Sequence, residues 1–351
     1  MTEAGKVMDI DPESWQAMIL PLPKRFSRGG AYGFCGSHPV GWAETARGRN
    51  CGCWWPGGRP ELLVLEGHKD VEAGRAVGGV IPGHWRKVTA ATGAVGWTLR
   101  GERLLGADLH DRSFESTWAT GAVDGVVIGI GSPRHKPGQR SHNVGLVWIE
   151  GEKVTVIAGA GKVELFATDG SRLAGSLDGR ATLWPSAVAT PIDLAPEGMP
   201  ASNVEAIDGE CEIGIAWNGM CARAGLWRGT AASFCDLTPK GFETARALGG
   251  ANGFQVGSVR RKDTTANGST ACDNRAVLWQ GAADRWFDLN ALLPMKNYNA
   301  SFGRAIEVRG DEVLVCGEAS RYEVSDPGTS QECHFVPVTH PVLWTGRLRQ
   351  G

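Results

Sequence analysis

Apolar and polar residues alternate along this chain over short stretches, and turn residues punctuate them. Runs such as HPVGW, VVIGI, CEIGI, FQVGS and VLVCG have the period of two expected of half-buried strands. Gly, Asn and Asp separate these runs, as tight turns require. The repeating stretches show none of the 3.6-residue period of an amphipathic helix. The clearest recurring element is a short apolar run ending in Trp: GLVW at Trp148, ATLW at Trp184, AGLW at Trp227, AVLW at Trp279 and PVLW at Trp344. Weaker copies end at Trp15, at Trp54 or Trp55, and at Trp97. Counted through Trp54, these tryptophans mark seven intervals with a mean of 47 residues.

Each interval keeps one internal order. A turn follows the Trp, then a run ending in Asp-Leu (GADLHD, PIDLAP, FCDLTP, WFDLNA) or a looser equivalent. Next comes a segment built on Ala or Val (GGAYG, GRAVG, TWATG, GKVEL, VEAID, ARALG, GRAIE), then a β-rich stretch ending near Gly. Four short strands at this period are the pattern of a propeller blade, and the period is too long for leucine-rich repeats. The pattern therefore predicts an all-β chain: a single seven-bladed β-propeller over residues 1–351, with four short antiparallel strands per blade. The units run 15–53, 54–96, 97–147, 148–183, 184–226, 227–278 and 279–344, after an N-terminal extension of 1–14. The last unit lacks an Asp-Leu strand, while Trp15 to Pro23 precede the first inner segment. The last blade is thus expected to be closed by both termini, with 15–23 beside 341–351. Such closure removes the exposed sheet edges of an open stack.

The layout resembles the bacterial HAF-type propeller repeat. The resemblance covers nearly the whole chain and is best over 181–294, where AGLWRGTAASFCDLTPKGFETARALGG and RAVLWQGAADRWFDLNALLP are the nearest copies. It implies the fold and says little about function. HAF-type proteins are commonly extracellular. Here the start, MTEAGKVMDIDPESWQ, shows no basic stretch followed by an apolar one, so a cytoplasmic setting is expected instead. WD-type and kelch-type patterns fit less well, for want of a Gly-His…Trp-Asp pair or a recurrent Gly-Gly hinge.

Composition sharpens this reading. The 50 Gly and 14 Trp in 351 residues, against 3 Tyr, match many turns and a few large anchors between blades. A net charge of −2 and a pI near 6.5 do not indicate a nucleic-acid binder. No apolar run is long enough to span a membrane. Nine scattered Cys read as reduced thiols. The expectation is a cytoplasmic monomer.

Candidate chemistry is sparse. The repeated Asp108, Asp193, Asp236 and Asp288 read as turn and backbone caps. The residue before the inner-segment Ala or Val is more distinctive: Gly30, Arg75, Trp118, Lys162, Glu205, Arg246 and Arg304 in chain order. If these side chains turn toward the axis, a cationic channel mouth results, able to hold a carboxylate or phosphate, with Trp118 stacking on a ligand or plugging the channel. The alternative is that strand alternation sends them between blades. Long insertions at 82–94, 132–143, 259–274 and 317–340 fall on the same face, and His135, His142 and Arg261 from two basic loops are possible contacts. No metal or cofactor is expected. Cys51 and Cys53 are too closely spaced for a zinc knuckle, and Cys316, Cys333, His334 and His340 match no zinc template. GAGK at 159–162 lacks the Walker pattern, and no catalytic motif is present. The leading expectation is non-catalytic binding of an anionic small molecule or an acidic protein segment at the channel mouth. An enzyme using the same mouth, with His or Glu205 as acid–base group, is the alternative. A structural interaction scaffold is the third.

Overall fold

The computed structural model describes residues 9–349 apart from 69, 87–91, 102, 135–141, 151, 160, 262–273, 295–297, 299 and 326–333. Seven small antiparallel sheets succeed one another around a ring, and three short 3-10 turns are the only helical elements among the described residues. Blade 1 comprises Phe26–Cys35, His38–Thr45, Asn50–Trp54 and Glu61–Leu62 from the axis outward. The innermost strands of blades 2 to 7 are Asp70–Ala73, Phe114–Val123, Val163–Thr168, Ala201–Asp208, Thr244–Ala251 and Ala300–Arg309. The chain is a seven-bladed β-propeller.

The seventh blade is completed by the two ends of the chain. Asp9–Ile19 forms its outermost strand and pairs antiparallel with His334–Arg349, from Asp9 opposite Arg349 to Ile19 opposite Val342. The closing strand therefore begins earlier than the Trp15 expected from sequence and takes in part of the supposed extension. Ion pairing of Arg349 with Asp11, at 2.8 Å, adds to the ladder.

The tryptophan ladder marks the third strands. Trp54, Trp97, Trp148, Trp184, Trp227, Trp279 and Trp344 each end or lie within one, and all are buried. Trp15 departs from the expected pattern. It sits on the closing strand, packs on Phe287 at 5.4 Å and joins the core between blades 6 and 7. The ladder thus has seven rungs rather than eight.

The aspartates end the outer strands as caps. Asp108, Asp193 and Asp236 each accept the amide hydrogen two residues on, from His110, Ala195 and Thr238. Asp288 accepts from Ala291 and also pairs with Arg275.

A second repeated constraint lies in the second strands. In six blades the innermost strand carries an extra residue against its neighbour, as at Tyr32 between Ala31 and Gly33, Thr120, Phe166, Glu205, Leu248 and Arg304. Just before each bulge, a carbonyl oxygen approaches a second-strand glycine. A Cβ at Gly41 would lie 1.9 Å from the Gly30 oxygen, at Gly214 2.1 Å from that of Asn203, and at Gly257 1.8 Å from that of Arg246. The same clash recurs at Gly83, Gly129, Gly175 and Gly317. Only glycine fits there.

The segment 317–340, expected as a loop, is largely strand. Glu312–Ser325 and His334–Arg349 stay in register out to Ser325 opposite His334. The stretch 82–94 is likewise mostly strand, within Val80–Arg86 and Thr92–Arg100.

Candidate functional site

The bulges decide what reaches the axis. Tyr32, Thr120, Phe166, Glu205 and Arg304 are all bulge residues, and all line one cavity of about 480 Å³. It lies toward the starts of the innermost strands. A second cavity of about 310 Å³, walled by Gly121 to Val123, Gly249 to Ala251 and Ala305 to Val308, lies toward their ends. Arg75, Phe166 and Glu205 line both cavities and so form the waist between them.

Blade 2 supplies the exception that builds this waist. Its innermost strand breaks at Gly74, and Arg75–Ala76 pairs in parallel with Gly121–Ala122 of blade 3. The Arg75 guanidinium then crosses the channel to blade 5. One nitrogen meets the Glu205 carboxylate at 2.9 Å and another donates to the Glu205 backbone oxygen. The other carboxylate oxygen accepts from the Asn203 side-chain amide at 2.6 Å. The ion pair is well shielded, with side chains 20% and 16% exposed, so water screens it little.

Arg304 is held differently. It pairs with Glu318 of the neighbouring strand, and its guanidinium lies over the Tyr32 and Phe302 rings at 5.2 Å from each. Burial, and then the nearby Glu318 carboxylate, push the Tyr32 hydroxyl up to about 12. On the opposite side of Tyr32, in blade 2, His84 stands 3.7 Å from Glu72, and burial lowers its pKa despite that carboxylate. Arg86 reaches Glu72 at 3.5 Å from the rim, where it is largely exposed.

The structure brings Arg75, Trp118, Glu205 and Arg304 together at the 480 Å³ chamber. Lys162 and Arg246 are not among the residues lining either chamber. Lys162 is exposed, four positions before the channel residue Phe166, and pairs with Glu164 at 2.7 Å. Arg246 is exposed, two positions before Leu248. The reason is a mixed register: Ala31, Ala119 and Ala247 precede the bulge, whereas Ala206 and Ala305 follow it. Residues that precede an alanine therefore come from two levels of the strand. The cationic mouth resolves into two guanidiniums, each already matched to a carboxylate.

Among the loop candidates, His142 is exposed and Arg261 lies over the Phe242 ring at 5.3 Å. His135 falls outside the described residues, as does Cys333. Cys316 is buried, donates to the Gly33 carbonyl and is remote in register from the hairpin end that carries His334. Cys211 and Cys221 occupy opposite ends of their hairpin. The sequence reading missed Tyr32, Glu72, His84, Phe166 and Glu318. The signal for the bulge residues was the second-strand glycine, which stands nine positions after Tyr32, Thr120, Phe166, Glu205 and Leu248.

No family model matches the chain. No curated protein matches it in sequence either. Solved structures do resemble it. Sqt1 of Saccharomyces cerevisiae is 10% identical, with 93% of this chain and 98% of that one aligned at a TM-score of 0.46. The β-propeller domain of the Trilobed protease from Pyrococcus furiosus, described as having an open velcro topology, is 10% identical over 75% of this chain and 98% of that one, at 0.40. Prolyl oligopeptidase B from Galerina marginata is 11% identical over 93% of this chain and 51% of that one, at 0.47. Likenesses this distant say nothing of what this chain does.

Proposed function

We propose that this chain is a non-catalytic binding propeller that takes a small organic molecule into the 480 Å³ chamber. One observation carries the reading: the Arg75–Glu205 bridge crosses the channel at the waist and sets the 480 Å³ chamber apart from the 310 Å³ one. Its volume lies within the range of small-molecule sites, and an apolar aromatic wall with a few fixed polar groups is the usual makeup of such sites. An anionic ligand would have to displace a carboxylate from Arg75 or Arg304. Membership of the HAF-type repeat family rests on the repeat layout. A cytoplasmic setting accords with the buried thiols of Cys35, Cys51, Cys53 and Cys316.

The enzyme reading draws on one feature, the His84–Glu72 pair at the same chamber. His84 is kept neutral by burial and so could accept a proton. Of the chamber's two hydroxyl groups, that of Thr120 is committed to the Leu165 carbonyl at 2.6 Å and that of Tyr32 is pushed up to about 12 by burial, which favours binding.

The test is ligand-observed NMR of a metabolite library against the wild type and against Thr120→Trp and the smaller filler Thr120→Phe. Thr120 faces the chamber, so either substitution should abolish binding while circular dichroism is preserved. Ligands that bind both filled variants unchanged would refute the chamber as the site. Turnover of a bound molecule that is lost in His84→Gln would replace the binding reading with the enzyme one.

A further inference from the structure

Resting on the chamber as a binding site, we infer that its ligand is a small organic ammonium ion, held between Trp118, Phe166 and the Glu72 carboxylate. The chamber itself shows how it treats a cation. The Arg304 guanidinium has a carboxylate, Glu318, on one side and two aromatic faces, Tyr32 and Phe302, within 5.2 Å. That is the arrangement in which a desolvated cation gains most from aromatic quadrupoles. The wall formed by blades 2 to 4 repeats the composition: a carboxylate from Glu72 and aromatic rings from Trp118 and Phe166 line the same cavity. The guanidinium available on that wall, Arg75, is committed to Glu205 across the channel.

Charge points the same way. The chamber contains two guanidiniums, Arg75 and Arg304, against the carboxylates of Glu72, Glu205 and the Glu318 behind Arg304. Burial lowers the His84 pKa, so its ring, 3.7 Å from Glu72, is a weak counter-charge. Arg86 touches Glu72 from outside, with 59% of its side chain in solvent, where its effect is screened. An incoming anion meets two cations already neutralised. An incoming cation meets the one carboxylate whose cationic partner is on the surface.

The experiment uses the full chain and a panel of ammonium ions, from tetramethylammonium to phenethylammonium. Each is compared with its uncharged carbon isostere and its carboxylate counterpart by calorimetry and tryptophan fluorescence. At least one ammonium ion should bind ten times or more tighter than its isostere. Glu72→Gln, which keeps the side chain's shape, should weaken it about tenfold, and Trp118→Leu by at least as much. Equal affinity for charged and uncharged partners, or insensitivity to Glu72→Gln, overturns the cation assignment. Preference for the carboxylate counterpart, lost in Thr120→Phe, also overturns it but leaves the binding chamber standing. If the library and the panel both give no binder, the binding reading falls as well.

Discussion

Replacing Gly257 by Ala tests the packing rule that recurs in every blade. The added Cβ would lie 1.8 Å from the Arg246 carbonyl oxygen and 3.1 Å from the Ala247 Cα. A comfortable carbon–oxygen contact is about 3.3 Å, so two strands paired on both sides of the Leu248 bulge must part by roughly 1.5 Å. Overpacking a rigid interior typically costs about 1–3 kcal/mol and sometimes more; a backbone obstacle that cannot rotate away places this site at the upper end. With an unfolding entropy of about 2.1 cal/mol/K per residue, a chain of this length would lose roughly 4 °C in Tm for 3 kcal/mol. Gly79→Ala is the control. Gly79 is exposed, has no atom within 4 Å of a built Cβ and does not need a positive φ. There alanine should be neutral or stabilise by about 0.4–1 kcal/mol through the unfolded chain. Urea unfolding followed by tryptophan fluorescence, with calorimetry for Tm, reads both. A Gly257→Ala protein within about 0.5 kcal/mol of wild type, on the scale of an ordinary surface change, would refute the reasoning.

Two further predictions concern the chamber. In a double-mutant cycle of Arg75→Met and Glu205→Gln, either single change leaves a shielded partner unmatched, and the pair should show a coupling above about 1.5 kcal/mol; a coupling near zero would mean the bridge is incidental. For His84, the folded pKa lies below that of the unfolded chain because of burial. The unfolded state therefore binds more protons as the pH falls through about 6.5, and stability should decline on that side. His84→Gln should flatten the slope of the urea midpoint between pH 7 and 5; an unchanged slope would show that His84 is not its source.

Much of the fold was legible because the repeat is enforced by sterics. The third-strand tryptophans and the second-strand glycines fill places that admit little else, so their spacing survived variation in the turns. Trp15 misled the count because a large apolar residue on the closing strand meets the same inter-blade gap from the other side. The site was harder to read. A single extra residue in six of the innermost strands decides which side chain faces the axis, and alanines stand on both sides of that residue. Arg75, Glu205 and Arg304 emerged where the alanine follows the bulge or the break at Gly74. Tyr32 and Phe166 were hidden where the alignment fell before it. That Arg75 would find Glu205 follows from ring geometry, which local sequence does not encode.

The pairing of Asp9 with Arg349 also bears on how the molecule forms. Blades 1 and 4 to 6 are each assembled from one contiguous stretch, so their hairpins can zip with short loop closures. The seventh must wait for partners separated by nearly the entire chain, the most non-local contact available and the slowest kind to make. Ring closure is thus the step expected to be slowest in folding. Conversely, a chain that has closed must peel away Asp9–Ile19 before that blade can open, which gives the ring a kinetic lock.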